Sequence, residues 1–276
     1  MNSMIRLDGP LVLAGAGNMG GAMLAGWLAR GLAPAQIIVQ DPGPPPATAE
    51  LLAKHGVRTM TTIDSLPTPP AVLLMAVKPQ VMDDVFAPLA KLAGPSTVVL
   101  SIAAGRTIAS FEKFLPPRAA VVRSIPNTPA AVGRGITVAA ANTNVTERHK
   151  QTVTELLSAI GEVAWVDDEA LIDPVTAVSG SGPAYVFYMV EALAAAGVAA
   201  GLKPELAMQL ARATVTGAGE LLHQSPLDAA TLRQNVTSPN GTTYAALQVL
   251  MAKDGLEPLM TAAVAAATKR SRELAQ

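Results

Sequence analysis

Between residue 10 and about residue 165, short apolar runs alternate with stretches of helical period. The runs are "LVLAG" (11–15), "IIVQ" (37–40), "VLLMAV" (72–77), "TVVLSI" (97–102), "AVVRSI" (120–125), "ITVAAA" (136–141) and "VAWV" (163–166). Near-continuous apolar runs of this length are what strands need when a parallel sheet is covered on both faces. Helical stretches follow several of them, such as 80–93, and proline clusters at 42–46, 67–70 and 116–117 mark connecting loops. The pattern predicts a doubly wound α/β domain with a mostly parallel sheet over residues 1–165. Beyond residue 166 the strand pattern stops. Helical periods follow at 168–178, 183–200, 204–224, 228–236, 242–253 and 256–274, with Gly or Pro between several of them, and predict an all-α domain over 166–276.

The helices of the second domain are rich in small residues and poor in polar surface, which points to close helix packing and a subunit interface. A homo-oligomer is therefore expected. Two stretches resemble membrane segments in composition. Residues 11–29 carry no charge, but Gly15, Gly17, Gly20, Gly21 and Gly26 interrupt them, and Asp8 stands where a signal peptide is basic. Residues 182–201 carry Glu191 near their centre, and their alanines and glycines give weak transfer energy, so a helix buried against other helices is expected and no membrane span. With 20 basic and 21 acidic residues and no basic stripe, the chain is not expected to bind nucleic acid. The absence of cysteine excludes disulfides, thiol nucleophiles and thiolate metal sites, and fits a cytoplasmic setting. His55, His149 and His223 lie far apart, with no metal-ligand spacing.

The chemistry begins at the first strand. Gly15, Ala16, Gly17, Asn18, Met19 and Gly20 follow it directly and open a helix. In a G-x-G-x-x-G turn the first glycine permits the tight turn, the second admits a pyrophosphate to the backbone, and the third lets helix and strand pack closely. The helix N-terminus then offers free N–H groups to the phosphates. Asp41, at the end of the next strand and 21 positions beyond the third glycine, suits a ribose hydroxyl. The "PGPPP" that follows it has no cation for a 2′-phosphate, which leans the cofactor toward NADH. "AVKPQ" (76–80), "SIAAG" (101–105) and "RSIPNTP" (123–129) end three further strands on the same edge and extend the crevice.

In order and spacing, "AGAGNMG", "AVKPQ", "RSIPNTPAAVGRG", "AVSGSGPAYVF" (177–187) and "VTSPNGTTYAAL" (236–247) resemble pyrroline-5-carboxylate reductase, and the resemblance covers essentially the whole chain. It implies a Rossmann domain, a helical dimerisation domain, an active site where the two meet, and assembly of dimers into a decamer in many members. The implied reaction is the last step of proline biosynthesis, with NADPH or NADH as reductant. Residue by residue, the resemblance assigns Gly15 to Gly20 to the pyrophosphate, and Ala76, Val77, Lys78 and Pro79 with Ala103 and Ala104 to the ribose and nicotinamide. It assigns Ser238, Gly241, Thr242 and Thr243 to the substrate, with Thr243 as the catalytic candidate beside the ring nitrogen. Where the family usually has two glycines after the proline of this turn, the chain has Asn240 in place of the first, a residue that tolerates the left-handed region.

The substrate so implied is a cyclic imine bearing a carboxylate. Backbone N–H groups of Gly241, Thr242 and Thr243 at a helix start form an anion site, and the hydroxyls add donors. Simple helix capping by Ser or Asn is the competing account of this stretch. Competing functions are a 3-hydroxyacid dehydrogenase, whose lysine acid has no counterpart before Lys203, a deazaflavin-linked reductase, which lacks a long helical second half, and a non-catalytic dinucleotide-binding protein.

Overall fold

In the computed structural model, residues 5–275 are described. They form two compact units: residues up to Gly180 with those from Ala267 onward, and Ser181–Ala266.

The first unit is built on an eight-stranded sheet. Its strands are β1 (Leu11–Ala14), β2 (Ile37–Gln40), β3 (Arg58–Met60), β4 (Val72–Met75), β5 (Val98–Ser101), β6 (Ala120–Ile125), β7 (Gly135–Ala141) and β8 (Gly161–Val166), in spatial order β3-β2-β1-β4-β5-β6-β7-β8. Strands β1 to β6 are parallel, as the apolar runs require. Alternate residues feed two cores. Leu11, Leu13, Val72 and Leu74 face α1 (Asn18–Ala29) and α5 (Glu147–Leu157), packing with Met23, Trp27 and Leu156. Val12, Leu73 and Met75 face α3 (Met82–Ala90) and α4 (Ile108–Glu112), packing with Phe86 and Phe111, whose rings meet edge to face at 5.0 Å. The second helix, α2 (Pro46–His55), lies between β2 and β3 in the chain.

Two features depart from the apolar-run reading. Strand β3 is three residues long, "RTM", on the sheet edge with two of its residues exposed, so it has no apolar run to announce it. Strand β7 pairs antiparallel with β6. Nine residues separate the two (126–134), too few for the dozen or more that a parallel crossover needs.

The sheet ends at Val166, and the first unit continues through α6 (Ile172–Val175) and a π-helical turn, Thr176–Gly180. Ile172 joins Ile125, Val138 and Ala140 in a third apolar cluster, and Ser271 donates to Asp173 at 2.7 Å. These contacts bind residues 169–180 and the last turns of the final helix to the sheet.

The second unit contains α7 (Gly182–Ala199), α8 (Pro204–Gln224), α9 (Ala229–Asn235), α10 (Thr242–Leu250) and the greater part of α11 (Leu256–Leu274). Helices α7 and α8 touch through small residues, with Gly197 against Ala207. The expectation that 182–201 is buried against other helices is corrected: within the chain only Ala194 of α7 is buried, while Phe187 and Tyr188 are 62% and 69% exposed. Small residues shorten the reach of each helix, so this unit cannot cover its own large side chains. The stretch 169–199 is the one helix among the described residues long and apolar enough to cross a membrane.

The buried Trp27 ties α1 to α5 by donating from its indole to the Leu156 carbonyl at 2.9 Å. Trp27→Phe keeps an aromatic ring but strands that carbonyl, and should lower unfolding free energy by about 1–3 kcal/mol. Urea unfolding at fixed protein concentration measures it.

Candidate active site

Sheet topology places the site. Strand β1 lies between β2 and β4, so the connections diverge there and open a crevice at the carboxyl ends of the strands. Gly15 sits at its base with φ +91°, and a Cβ there would lie 2.8 Å from the Ala76 carbonyl, where the ends of β1 and β4 converge. At Gly20 a Cβ would lie 2.3 Å from the Gly15 carbonyl oxygen, which explains how closely α1 approaches the turn. Gly17 is different: a Cβ there would meet nothing within 4 Å. It is the N-cap of α1, which has no side-chain cap and no acidic residue in its first turn. Ala16, Asn18 and Met19 complete a turn whose helix dipole is therefore open to an anion.

Asp41 closes the opposite wall. Its carboxylate accepts the Ala16 N–H at 2.6 Å and the Gly43 N–H at 2.8 Å, so it braces the glycine turn against the end of β2. Each oxygen keeps acceptor capacity for a further donor. Beside it is a cavity of about 250 Å³, whose lining includes Asp41, Asp64, Asp84, Thr61, Thr62 and Val77 and contains no Lys or Arg. Asp64 and Asp84 were not legible as site residues. One follows the short edge strand and the other lies on α3, and no local spacing marks either.

The remaining predicted cofactor residues reach the same edge. Ala76 and Val77, half-buried, lead from β4 to exposed Lys78 and Pro79, and Pro79 opens a 3-10 turn into α3. Beyond β5, Ala103 is buried with its N–H 3.2 Å from the Ser101 hydroxyl, and Ala104 is exposed. Asn127 in "RSIPNTP" donates to the Ser179 carbonyl at 3.1 Å and accepts from the Ile136 N–H at 3.0 Å, linking two of the motifs.

Ser238, Gly241, Thr242 and Thr243 lie in the second unit, at the entrance to α10. The Gly241 N–H donates to the Ser238 carbonyl at 3.1 Å, closing a tight turn around Asn240, whose φ is +56°. The asparagine thus occupies the left-handed region that a glycine would occupy at no steric cost. Gly241 is the N-cap, and no side chain caps α10, which removes support from the simple capping account. The first-turn N–H groups of α10 stand beside the exposed Thr242 and half-buried Thr243.

Residues 169–274 match the family described as pyrroline-5-carboxylate reductase dimerisation, and residues 11–105 match that described as NADP oxidoreductase, coenzyme F420-dependent. A pyrroline-5-carboxylate reductase of Pseudomonas aeruginosa is 40% identical over 96% of this chain and 97% of its own. The chain belongs to the pyrroline-5-carboxylate reductase family. A solved pyrroline-5-carboxylate reductase from Coxiella burnetii is similar with a TM-score of 0.89 at 34% identity, covering 97% of this chain and 99% of that one. The pyrroline carboxylate reductase of Plasmodium falciparum, solved with NADP bound, aligns with a TM-score of 0.78 at 28% identity, over 99% and 100% of the two chains. In this family member the divided roles of the glycines are directly testable. Gly17→Val should leave the thermal transition within about 3 °C of the parent while binding of a reduced nicotinamide dinucleotide, followed by its fluorescence, falls by at least about 100-fold. Gly20→Val should instead lower the thermal transition, because its side chain meets backbone.

Proposed function

We propose that this chain reduces L-1-pyrroline-5-carboxylate to L-proline, the last step of proline biosynthesis, by hydride transfer from a reduced nicotinamide dinucleotide. The observation that carries the substrate half of this reading is the uncapped start of α10, with Gly241 at the cap and two threonines after it. A carboxylate accepts the N–H groups of Thr242 and Thr243, favoured by the positive end of the helix; the Gly241 N–H, expected from the sequence to join them, is taken by the Ser238 carbonyl that closes the turn. Ser238 adds a hydroxyl. The glycine turn, Gly15 to Gly20, takes the pyrophosphate, and Ala76 to Pro79 with Ala103 and Ala104 border the ribose and nicotinamide. Residues 1–165 then act as the dinucleotide domain, and 166–276 as the dimerisation and substrate domain.

A hydride leaves C4 of the nicotinamide for the imine carbon, and the ring nitrogen is left as the amine of proline. A protonated imine is already electrophilic, so the main task of the protein is to hold the two rings in reacting geometry. The Thr243 hydroxyl orients the nitrogen or passes it a proton from water.

Between the two cofactors, the acid-lined cavity favours NADH. A 2′-phosphate beside Asp41, Asp64 and Asp84 would face three carboxylates with no cation among the lining residues, whereas a ribose hydroxyl can donate to Asp41. The exposed apolar residues of α7, α10 and α11, among them Phe187, Tyr188, Val249 and Leu259, support a dimer in which a second copy covers them. Assembly of dimers into a decamer rests on the family resemblance alone, and a cytoplasmic site of action on the cysteine-free sequence.

The test is the loss of reduced-nicotinamide absorbance with pyrroline-5-carboxylate, run in parallel with NADH and NADPH. Turnover with kcat/KM at least about 10-fold higher for NADH is expected, equivalent to about 1.4 kcal/mol of discrimination. Preference for NADPH would overturn the reading of the acidic cavity, and no turnover with either would overturn the reductase itself. Thr243→Ala should lower kcat/KM for the imine by about 10- to 100-fold without changing NADH affinity. An unchanged value removes Thr243 from the site.

A further inference from the structure

Arg123 is the most deeply buried charge in the described chain, with its side chain 3% exposed. It lies on β6 between Val121 and Ile125, which point to the same face and are apolar. A leucine or methionine there would continue that core, and burying an ion pair is seldom a gain over packed hydrocarbon. What the charge supplies is a directed link. Its Nη1 donates to Glu169 Oε1 at 3.0 Å, and that same oxygen accepts the backbone N–H of Ile108 at 2.9 Å. Ile108 is the first residue of α4 and ends the loop that leaves β5 through Ala103 and Ala104. On the other side of the guanidinium, Asp173 stands 3.9 Å from Nη2 and accepts from the Ser271 hydroxyl. Gly105, at φ +73°, packs so that a Cβ there would be 3.0 Å from the Leu274 carbonyl oxygen. The 102–107 loop is thus held at its far end by Glu169 and along its length by the end of the last helix.

We propose that Glu169, itself fixed by Arg123, is a positioning residue for the reduction. It sets the height of the 102–107 loop and with it the placing of the nicotinamide ring at Ala103 and Ala104. The inference rests on the proposed dinucleotide reading for the location of the nicotinamide. Glu169 touches neither cofactor nor substrate in this account. Its effect passes through one hydrogen bond to Ile108, and displacement of a bound ring by about 1 Å costs up to about 100-fold in rate.

Two conservative variants separate reach from charge. Glu169→Gln keeps an oxygen within reach of both donors and loses the charge. Glu169→Asp keeps the charge beside Arg123 and is one methylene too short to meet the Ile108 N–H. Positioning predicts that Glu169→Gln retains kcat within about 3-fold of the parent, while Glu169→Asp loses at least about 10-fold in kcat. Affinity for ADP-ribose, which lacks the nicotinamide, should stay within about 2-fold in both. The opposite order of the two variants, or kcat near the parent in both, would overturn the proposal, as would an equal loss of ADP-ribose binding. The parent protein is assayed alongside. If it binds NADH without reducing pyrroline-5-carboxylate, the functional reading has failed, and the loop is tested by the fluorescence of bound NADH: a change in Glu169→Asp alone supports positioning, and no change overturns it.

Discussion

The ends of β1 and β4 come together so closely that the residue after β1 has no room for a side chain. Gly15 satisfies that constraint with a backbone at φ +91°, where a Cβ would lie 2.8 Å from the Ala76 carbonyl, and Gly20, within α1, leaves room for the Gly15 carbonyl oxygen, 2.3 Å from where its own Cβ would stand. Because α1 can then start directly above the strand, its free N–H groups face the crevice instead of solvent at the side of the sheet. Asp41 completes the arrangement by fastening the Ala16 N–H to the end of β2. Gly17, the N-cap of α1, keeps open space where a Cβ would meet nothing within 4 Å.

The second unit solves a different problem. Its helices pack through alanine and glycine, which brings backbones close but leaves Phe187, Tyr188 and Val249 uncovered within one chain. An apolar surface of this extent is costly in water, and a second copy offers complementary cover. The same unit presents a helix start with no capping side chain, at Gly241. In the proposed function the substrate carboxylate takes the Thr242 and Thr243 N–H groups of that helix.

The parallel sheet, the glycine turn and the helical second half were legible because each rests on local sequence: continuous apolar runs, fixed glycine spacing and helical period. The left-handed Asn240 was legible for the same reason, since few other residues suit that conformation. Strand β3 was not, being short, edge-bound and polar. The exposure of α7 was misread, because hydrophobicity says that a face must be covered without saying by which chain. Asp64, Asp84 and Glu169 were invisible at the level of motif. They reach their positions through the sheet and through residues dozens of positions apart in sequence, as when Glu169 meets the Ile108 N–H.

The most direct measurement of the central claim is the fate of the hydride. The protein would be incubated with pyrroline-5-carboxylate and NADH carrying deuterium at both C4 positions, and the product analysed by mass spectrometry and NMR. Direct transfer between rings predicts proline carrying one deuterium on the carbon bonded to nitrogen that was formerly the imine carbon. Unlabelled proline, or none formed by protein that binds NADH, would contradict it.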